Sequence, residues 1–396
     1  MRRALRIFSG LLLALFCLSP LTAVSASEPA KQDAFEAALK DLCDKRVVLL
    51  GENAHGDGRT LEFKVAMVRA LVDRCRFSTI LFEANHYDFM ALTRTADQGG
   101  RVEPRMIDAA IGGVWNRTRE IQPLAPFLAS RLAARRIRLG GLDDQLGSYG
   151  ALYANDKLPD EVTGYLPFER RQVCREALRR EIYADYGSAD GRTGQVQDTL
   201  LACLEEARSR LAVAEPRKAR RAFYQEALRA MTRAVRRGAL SGDAITRDRD
   251  AAMYETYAWY RRTDGERAKT IVWAANVHTV RDARAFGAPA AEDLLGGRIA
   301  RREGGDAFSL GFSAGGGSYR RSRDRTQPIE PAPAGSLEAT LLASAEADAI
   351  YADRRQLRAL GKVPAAMSYH KPRTYDWSLG FDGVVVFQQE RPTTNK

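Results

Sequence analysis

Histidine is scarce in this 396-residue chain: only His55, His86, His278 and His370 are present, so two of them in matching contexts carry information. Cysteine is nearly as rare. Five are present and no two form a Cys-x-x-Cys pair, so the spacing that structural zinc sites use is missing. No apolar run reaches the roughly 20 residues that a bilayer-spanning helix requires, which argues against stable membrane insertion. The chain also lacks any patch in which basic and aromatic residues interleave and any nucleic-acid-binding motif. Its charge of +11 therefore gives no support to a DNA or RNA partner. Disorder is excluded as well. A hydrophobic content of 45% over this length can bury a large core, either as one large α/β domain with an insertion or as two domains.

What is present begins with a separate N-terminal segment. Arg2, Arg3 and Arg6 precede an apolar run from Ile7 to Leu18, and Val24, Ser25 and Ala26 supply small residues, the pattern of a secretory signal peptide. This predicts a signal over residues 1–26, cleavage near Ala26, a mature domain over 27–396, and a periplasmic or secreted location. Phe16 before Cys17 is a poor match to the small residue that a lipoprotein signal carries there. Losing three arginines and no acids lowers the charge from +11 to +8. That excess draws a protein toward anionic surfaces such as a bacterial envelope, although Arg-rich helix faces need only solvation.

Export leaves an even set of cysteines, Cys43, Cys75, Cys174 and Cys203, in an oxidising compartment. Cys43 lies just before the first predicted strand and Cys75 just before the second. Both then sit at the amino-terminal rim of neighbouring strands, which predicts a Cys43–Cys75 bond. Cys174 and Cys203 fall on two predicted helices of one hairpin and predict the second.

The histidines recur at strand ends. Val47 to Leu50 is an apolar, β-forming run that passes directly into Gly51, Glu52, Asn53, Ala54, His55 and Gly56. Such a run fits burial on both faces of a parallel sheet, and open α/β sheets place ligands at the carboxyl ends of their strands. A carboxylate three residues before an imidazole steadies its protonation state and orientation, as a general base near neutral pH requires. The bland reading is a polar turn with an incidental histidine. His278 follows a second apolar, β-rich run, Ala268 to Val277, and a third run from Ser78 to Phe82 delivers Glu83. Three parallel strands side by side would gather Glu52, His55, Glu83 and His278 at one sheet edge.

Strands near 46–51, 78–83, 136–142, 269–275, 307–313 and 383–388 alternate with helical stretches. This predicts an α/β fold with a largely parallel sheet flanked by helices. Between the third and fourth strands, residues near 146–262 read as a helical insertion or cap, with breaks at 187–194 and Pro216. It is far longer than an ordinary crossover and is expected to shape the substrate pocket. Ala314 to Pro333 reads as a mobile loop.

Gly51-Glu52-Asn53-Ala54-His55-Gly56, Leu61-Glu62-Phe63-Lys64, Phe77 to Glu83, Gly141-Leu142-Asp143-Asp144-Gln145, Arg249-Asp250-Ala251-Ala252-Met253 and Trp273-Ala274-Ala275-Asn276-Val277-His278 form an ordered series. In order and spacing it resembles the successive signatures of the erythromycin esterase family. The resemblance covers most of the chain after residue 40. It implies a hydrolase of carboxylic esters or lactones, with macrolides such as erythromycin, and through them antibiotic resistance, as the family expectation. It places the family's essential histidine on His55, its glutamates on Glu52 and Glu83, a basic active-site residue on Lys64, and its second histidine on His278. Trp115, Asn116 and Glu120 repeat part of a family segment and are expected to form a pocket wall. Two departures bear on the substrate. Lys64 stands where the family commonly has arginine, and an ammonium lacks the bidentate geometry of a guanidinium. Ala275 stands where the family often has histidine.

Other residues are weighed singly. Asp143 and Gln145 end the third strand and are expected to line the site, while Arg249 either joins them or forms a structural ion pair with Asp250. Glu83 could pair with Lys64 or Arg69, and Lys64 could lay its stem on the sheet with its charge in solvent. His86 is read as a neighbour of the site. His370, among Tyr369, Lys371, Pro372 and Arg373, is read as surface. Gly311-Phe312-Ser313-Ala314-Gly315 matches a Gly-x-Ser-x-Gly elbow, but glycines and a basic stretch follow where an elbow needs a helix. The mechanism read is attack by water. His55 takes its proton, Glu52 or Glu83 orients the imidazole, and Lys64 or His278 stabilises the oxyanion. It needs a small-molecule ester or lactone and no cofactor. The alternatives are a divalent metal such as Zn²⁺ or Mn²⁺ held by the two histidines and two carboxylates, and a non-catalytic envelope protein that binds a polyketide, glycan or haem.

Overall fold

Runs of valine, leucine and isoleucine with no polar residue among them form strands that must be covered on both faces, and the central sheet is assembled from such runs. The computed structural model describes residues 33–147, 151–184, 194–322, 325–343 and 347–396. The segment read as a signal peptide and the helix break expected at 187–193 lie outside them. In chain order the strands are β1 (Val47–Leu50), β2 (Thr79–Asn85), β3 (Arg138–Asp143), β4 (Thr270–Trp273), β5 (Ala307–Ala314), β6 (Gly317–Ser322), β7 (Arg325–Ile329), β8 (Ala349–Asp353), β9 (Lys362–Ser368), β10 (Lys371–Asp376) and β11 (Gly383–Phe387). Seven form one sheet in the order β3-β2-β4-β1-β5-β11-β8. Neighbours run parallel except at the edge, where β8 lies antiparallel to β11.

The strands read from the sequence are β1 to β5 and β11. The stretch read as a mobile loop instead carries the antiparallel ribbon β6–β7. Its residues are mostly polar and its strands form a two-stranded sheet apart from the central one, so no apolar alternation marks it.

β1 shows why the runs are unbroken. Val48 and Leu50 enter a core shared with Leu61, Val68 and Leu71 of the helix Gly58–Cys75. Val47 and Leu49 enter another, shared with Met253 and Tyr257 of the helix Asp243–Asp264 and Ile299 of the helix Leu295–Glu303. β4 alternates in the same way, Ile271 and Trp273 against Val272. Each such side chain contributes about 1.5–3 kcal/mol when fully buried.

The helix Gly58–Cys75 buries Leu61, Lys64, Val68, Leu71 and Cys75, the three-to-four spacing of an amphipathic face, so Lys64 belongs to the inward face. Cys75 ends this helix and is bonded to Cys43, which ends the helix Ala34–Cys43; their Cα atoms lie 5.1 Å apart. The strands that follow these cysteines are not neighbours, because β4 lies between β1 and β2. The bond joins helix ends rather than adjacent strand rims.

The described residues between Tyr153 and Arg237 form helices around a second core, with Leu178, Leu204, Leu211, Leu228 and Met231, which Tyr87 and Leu146 also join. The Cys174–Cys203 bond joins two of them, Phe168–Ala184 and Gly194–Ala214. Arg237 fastens the set to the end of β3 through two 2.7 Å bonds to Asp144. The last helix of the excursion, Asp243–Asp264, packs on the sheet instead. No helix among the described residues is long and apolar enough to cross a membrane, and the two disulfides are compatible with an exported protein.

Candidate active site

Strand register decides which side chains meet. Leu50 of β1 is level with Trp273 of β4, which is level with Phe82 of β2. The residues that follow this level, Gly51 and Glu52, Ala274, and Glu83, therefore lie together at the carboxyl edge of the sheet. Gly51 has no room for a side chain, since a Cβ there would lie 2.1 Å from Asn276 Oδ1. That close approach brings the short helix Asn276–Thr279, with His278, beside the β1 end.

Glu52 is fully buried and saturated with donors. Its Oε1 accepts from Trp115 Nε1 at 2.9 Å and contacts His55 Nδ1 at 2.5 Å, and its Oε2 accepts from Lys64 Nζ at 2.6 Å. The Lys64 ammonium also lies 4.1 Å from the centre of the Trp273 ring. Burial pulls the Lys64 pKa below its ordinary value, against the charge of Glu52. A carboxylate on Nδ1 places the proton there and leaves Nε2 of His55 to exchange protons. Burial also opposes the charged form of His55, but the hydrogen bond and charge of Glu52, with a smaller contribution from Glu83, outweigh it and raise its pKa.

The second group centres on Glu83. Its Oε1 accepts from Arg249 Nη2 at 3.0 Å and lies 3.2 Å from His278 Nε2, and its Oε2 accepts from the Ala275 amide at 2.9 Å. His278 Nδ1 lies 3.0 Å from both oxygens of Asp250, and Arg249 Nη2 donates to Asp143 at 2.6 Å. Although desolvation works against it, the two carboxylates push the His278 pKa up to about 10, so the ring is an imidazolium at neutral pH. Its Nε2 proton then goes to Glu83, and the 3.3 Å approach of Arg249 Nη1 is a contact between cations. Glu83 is buried, yet His278 and Arg249 hold its carboxyl well below the usual range.

His55 lines three adjoining cavities. The largest, about 310 Å³, is bounded by Glu83, Trp115, Asp143, Gln145 and Arg249. A second of about 180 Å³ lies toward β6 and Tyr369, and a third of about 110 Å³ is lined by Glu83, Arg249 and His278. Lys64 lines none of them. Neither do the described residues from Tyr153 to Arg237, so the pocket is not shaped by that part of the expected cap.

Other expectations are corrected. Lys64 is not a solvent-facing stem: its side chain is fully buried. The partners of Glu83 are Arg249 and His278 rather than Lys64 or Arg69, and Arg249 pairs with Asp143 and Glu83 rather than Asp250. His370 is not on the surface. Its side chain is 3% exposed, and its Nε2 lies 2.9 Å from Asp57, whose other oxygen accepts from the Ala54 amide. Together with the bonds of the Tyr369 and His370 amides to Asn53, this clamps the loop that carries His55. His86 lies away from the cavities, with Nδ1 3.0 Å from the Gly141 carbonyl. Of the expected wall segment only Trp115 lines the pocket; Glu120 accepts from Arg391 and the Thr394 amide. Ser313 is buried within β5, its hydroxyl 2.6 Å from Glu338. Asp250, the partner of His278, was missed, although its place one residue beyond Arg249 on a helix facing the sheet was a usable signal. Among the described residues, no group of three or more His, Cys, Asp or Glu side chains is placed to hold a metal ion.

The sequence profile of one protein family, described as erythromycin esterase, matches residues 72–389. That span holds Glu83, Asp143, Arg249 and His278 and begins after Glu52, His55 and Lys64. The fold is similar to that of a Bacillus cereus protein, with a TM-score of 0.70, 17% identity, and coverage of 92% of this chain and 94% of that one. It is similar to a succinoglycan biosynthesis protein, with a TM-score of 0.69, 18% identity, and coverage of 93% and 94%. A histidine-to-asparagine mutant of the erythromycin esterase EreC in its open conformation matches with a TM-score of 0.61 and 16% identity, over 92% of this chain and 96% of that one.

Proposed function

We propose, from the premise that this chain belongs to the erythromycin esterase family, that it hydrolyses a carboxylic ester or lactone with water activated by His55. The family supports a hydrolase. The finer reading rests on one observation: His55 borders all three cavities and holds its Nδ1 on a buried, fully bonded carboxylate. In the reaction, Nε2 of His55 takes a proton from water as the water attacks the carbonyl carbon, and Glu52 stabilises the resulting imidazolium. Lys64 acts behind Glu52 by holding its other oxygen. Oxyanion stabilisation then falls to the cationic side of the third cavity, Arg249 and His278. The ester oxygen leaves with the proton that His55 holds. Two carboxylates already facing Lys64, Arg249 and His278 suit protonated partners better than a divalent ion, which would meet like charge. The substrate is a small molecule, macrolides being the family expectation, and the exported protein would meet it in the periplasm or outside the cell.

The test is to incubate purified protein with macrolides and simple aryl esters and to look by mass spectrometry for the gain of one water, with and without a chelator. Turnover that survives chelation and Ser313→Ala but not His55→Ala supports the reading. Loss on chelation assigns the chemistry to a metal. Substrate binding without turnover makes the protein a binder.

A further inference from the structure

The three cavities around His55 differ in charge. Those of about 310 and 110 Å³ mix the two signs, Arg249 with Glu83 and Asp143 in the first, and Arg249 and His278 with Glu83 in the second. The cavity of about 180 Å³ is lined by Arg117, Arg320 and Arg321 beside Tyr319 and Tyr369, with no carboxylate among the described lining residues. Two of the arginines are delivered by β6, and that strand is fixed to the His55 loop: the Arg320 amide donates to the Gly56 carbonyl at 3.1 Å. A Cβ on Gly56 would lie 1.8 Å from the Arg320 carbonyl oxygen, so only glycine permits this approach. The Arg320 side chain is held as well, its Nε donating to the Thr393 carbonyl at 2.8 Å.

We infer that this cavity is an anion subsite, and that the ester hydrolysed at His55 carries a carboxylate, sulfonate or phosphate on one side of the scissile bond. The inference rests on the esterase reading for its chemistry and on the arginines for its charge. An ester held with its carbonyl at His55 must lay one arm into the arginine-lined cavity and the other toward Glu83 and Asp143. A neutral arm in the former gains nothing from three guanidinium groups, and a cationic arm is repelled. An anionic arm gains charge-assisted hydrogen bonds from planar donors suited to carboxylate and phosphate.

The experiment compares matched esters on the full-length protein: mono(4-nitrophenyl) glutarate, 4-nitrophenyl butyrate, a trimethylammonium analogue, and 4-sulfophenyl butyrate, which carries the anion on the leaving group. One anionic ester should exceed the neutral one in kcat/KM by roughly tenfold, which is what a few partly solvated charges at contact distance supply. The preference should reside mainly in KM, weaken with salt, collapse in Arg321→Gln and Arg117→Gln, and survive in Arg321→Lys. Calorimetric titration of the His55→Ala protein with glutaric acid monoanilide and with butyranilide reads the subsite without turnover. Preferential binding of the carboxylate with no hydrolysis of any ester overturns the esterase reading and supports the subsite. Equal kcat/KM across the esters with equal binding of the anilides, or a preference for the cationic ester, overturns the subsite and leaves the esterase reading standing.

Discussion

Two buried glutamates, Glu52 beyond β1 and Glu83 in β2, each hold a histidine, and the two histidines end in different states. The His278 side chain is 7% exposed and lies between Asp250 and Glu83, and its pKa is pushed up to about 10. The His55 side chain is 30% exposed and has Glu52 as its one hydrogen-bonded carboxylate, whose other lone pairs are taken by Trp115 and Lys64. Its proton can be exchanged with a bound molecule; that of His278 is locked. Residue type does not separate a base from a fixed cation. What does is how many carboxylates face the ring and whether solvent reaches it.

The contrast is broken most directly by removing His55. His55→Ala should lower kcat by about 10² to 10⁴, the usual worth of a positioned acid or base, while the melting temperature stays near wild type. An unchanged kcat on a confirmed substrate would remove His55 from the mechanism. The next effect is on stability. Lys64→Met takes the cation from a pair whose side chains are both fully buried, and should cost about 3–5 kcal/mol in urea unfolding, because Glu52 is left uncompensated. A loss under about 1 kcal/mol would mean that Trp115 and His55 suffice to hold the carboxylate.

The His278 side of the contrast makes a pH prediction. Its folded pKa of about 10 lies above the ordinary 6.5. The stability it lends is therefore complete below pH 6.5, declines above it, and is gone once the pH has passed through 10. It amounts to a few kcal/mol at most, on the order of a buried charged pair. Asp250→Asn removes one of the two carboxylates and should flatten that decline relative to wild type. Parallel denaturation curves from pH 6 to 11 for the two proteins would show that His278 is not the locked cation described.

Much of this was legible before the fold was known, and the exceptions share a cause. β1, β2 and β4 could be read because residues buried on both faces leave unbroken apolar runs, and the glutamates and histidines at their ends followed. Lys64 was readable in principle, since it shares the inward spacing of Leu61 and Val68, but charge outweighed position in the reading. His370 was not readable. Its burial comes from Asp57, more than 300 residues away, and from a β9–β10 turn that puts Tyr369 and His370 at φ of 49° and 53°. The β6–β7 ribbon was hidden for a related reason: much of its contact with the His55 loop and the C-terminal segment runs through backbone groups, and only Tyr319 and Ile329 bury apolar side chains, too few to make a pattern.

The smallest expected effect is the sharpest probe, because Glu83 acts on both histidines at once. It hydrogen-bonds His278 and adds only a minor charge contribution at His55, where Glu52 supplies the larger favourable part. If neutral His55 is the base, activity rises with pH through its pKa, which lies above the ordinary 6.5. Glu83→Gln removes a negative charge, so imidazolium is less favoured and the acidic limb of the kcat/KM profile should move to lower pH. Glu52→Gln should move it further in the same direction, on whatever activity remains. The ordering matters more than either displacement. A Glu83→Gln limb that moves to higher pH, or further down than that of Glu52→Gln, would mean that the titrating group seen in the kinetics belongs to the Glu83–His278 side, and the two histidines would have to exchange roles.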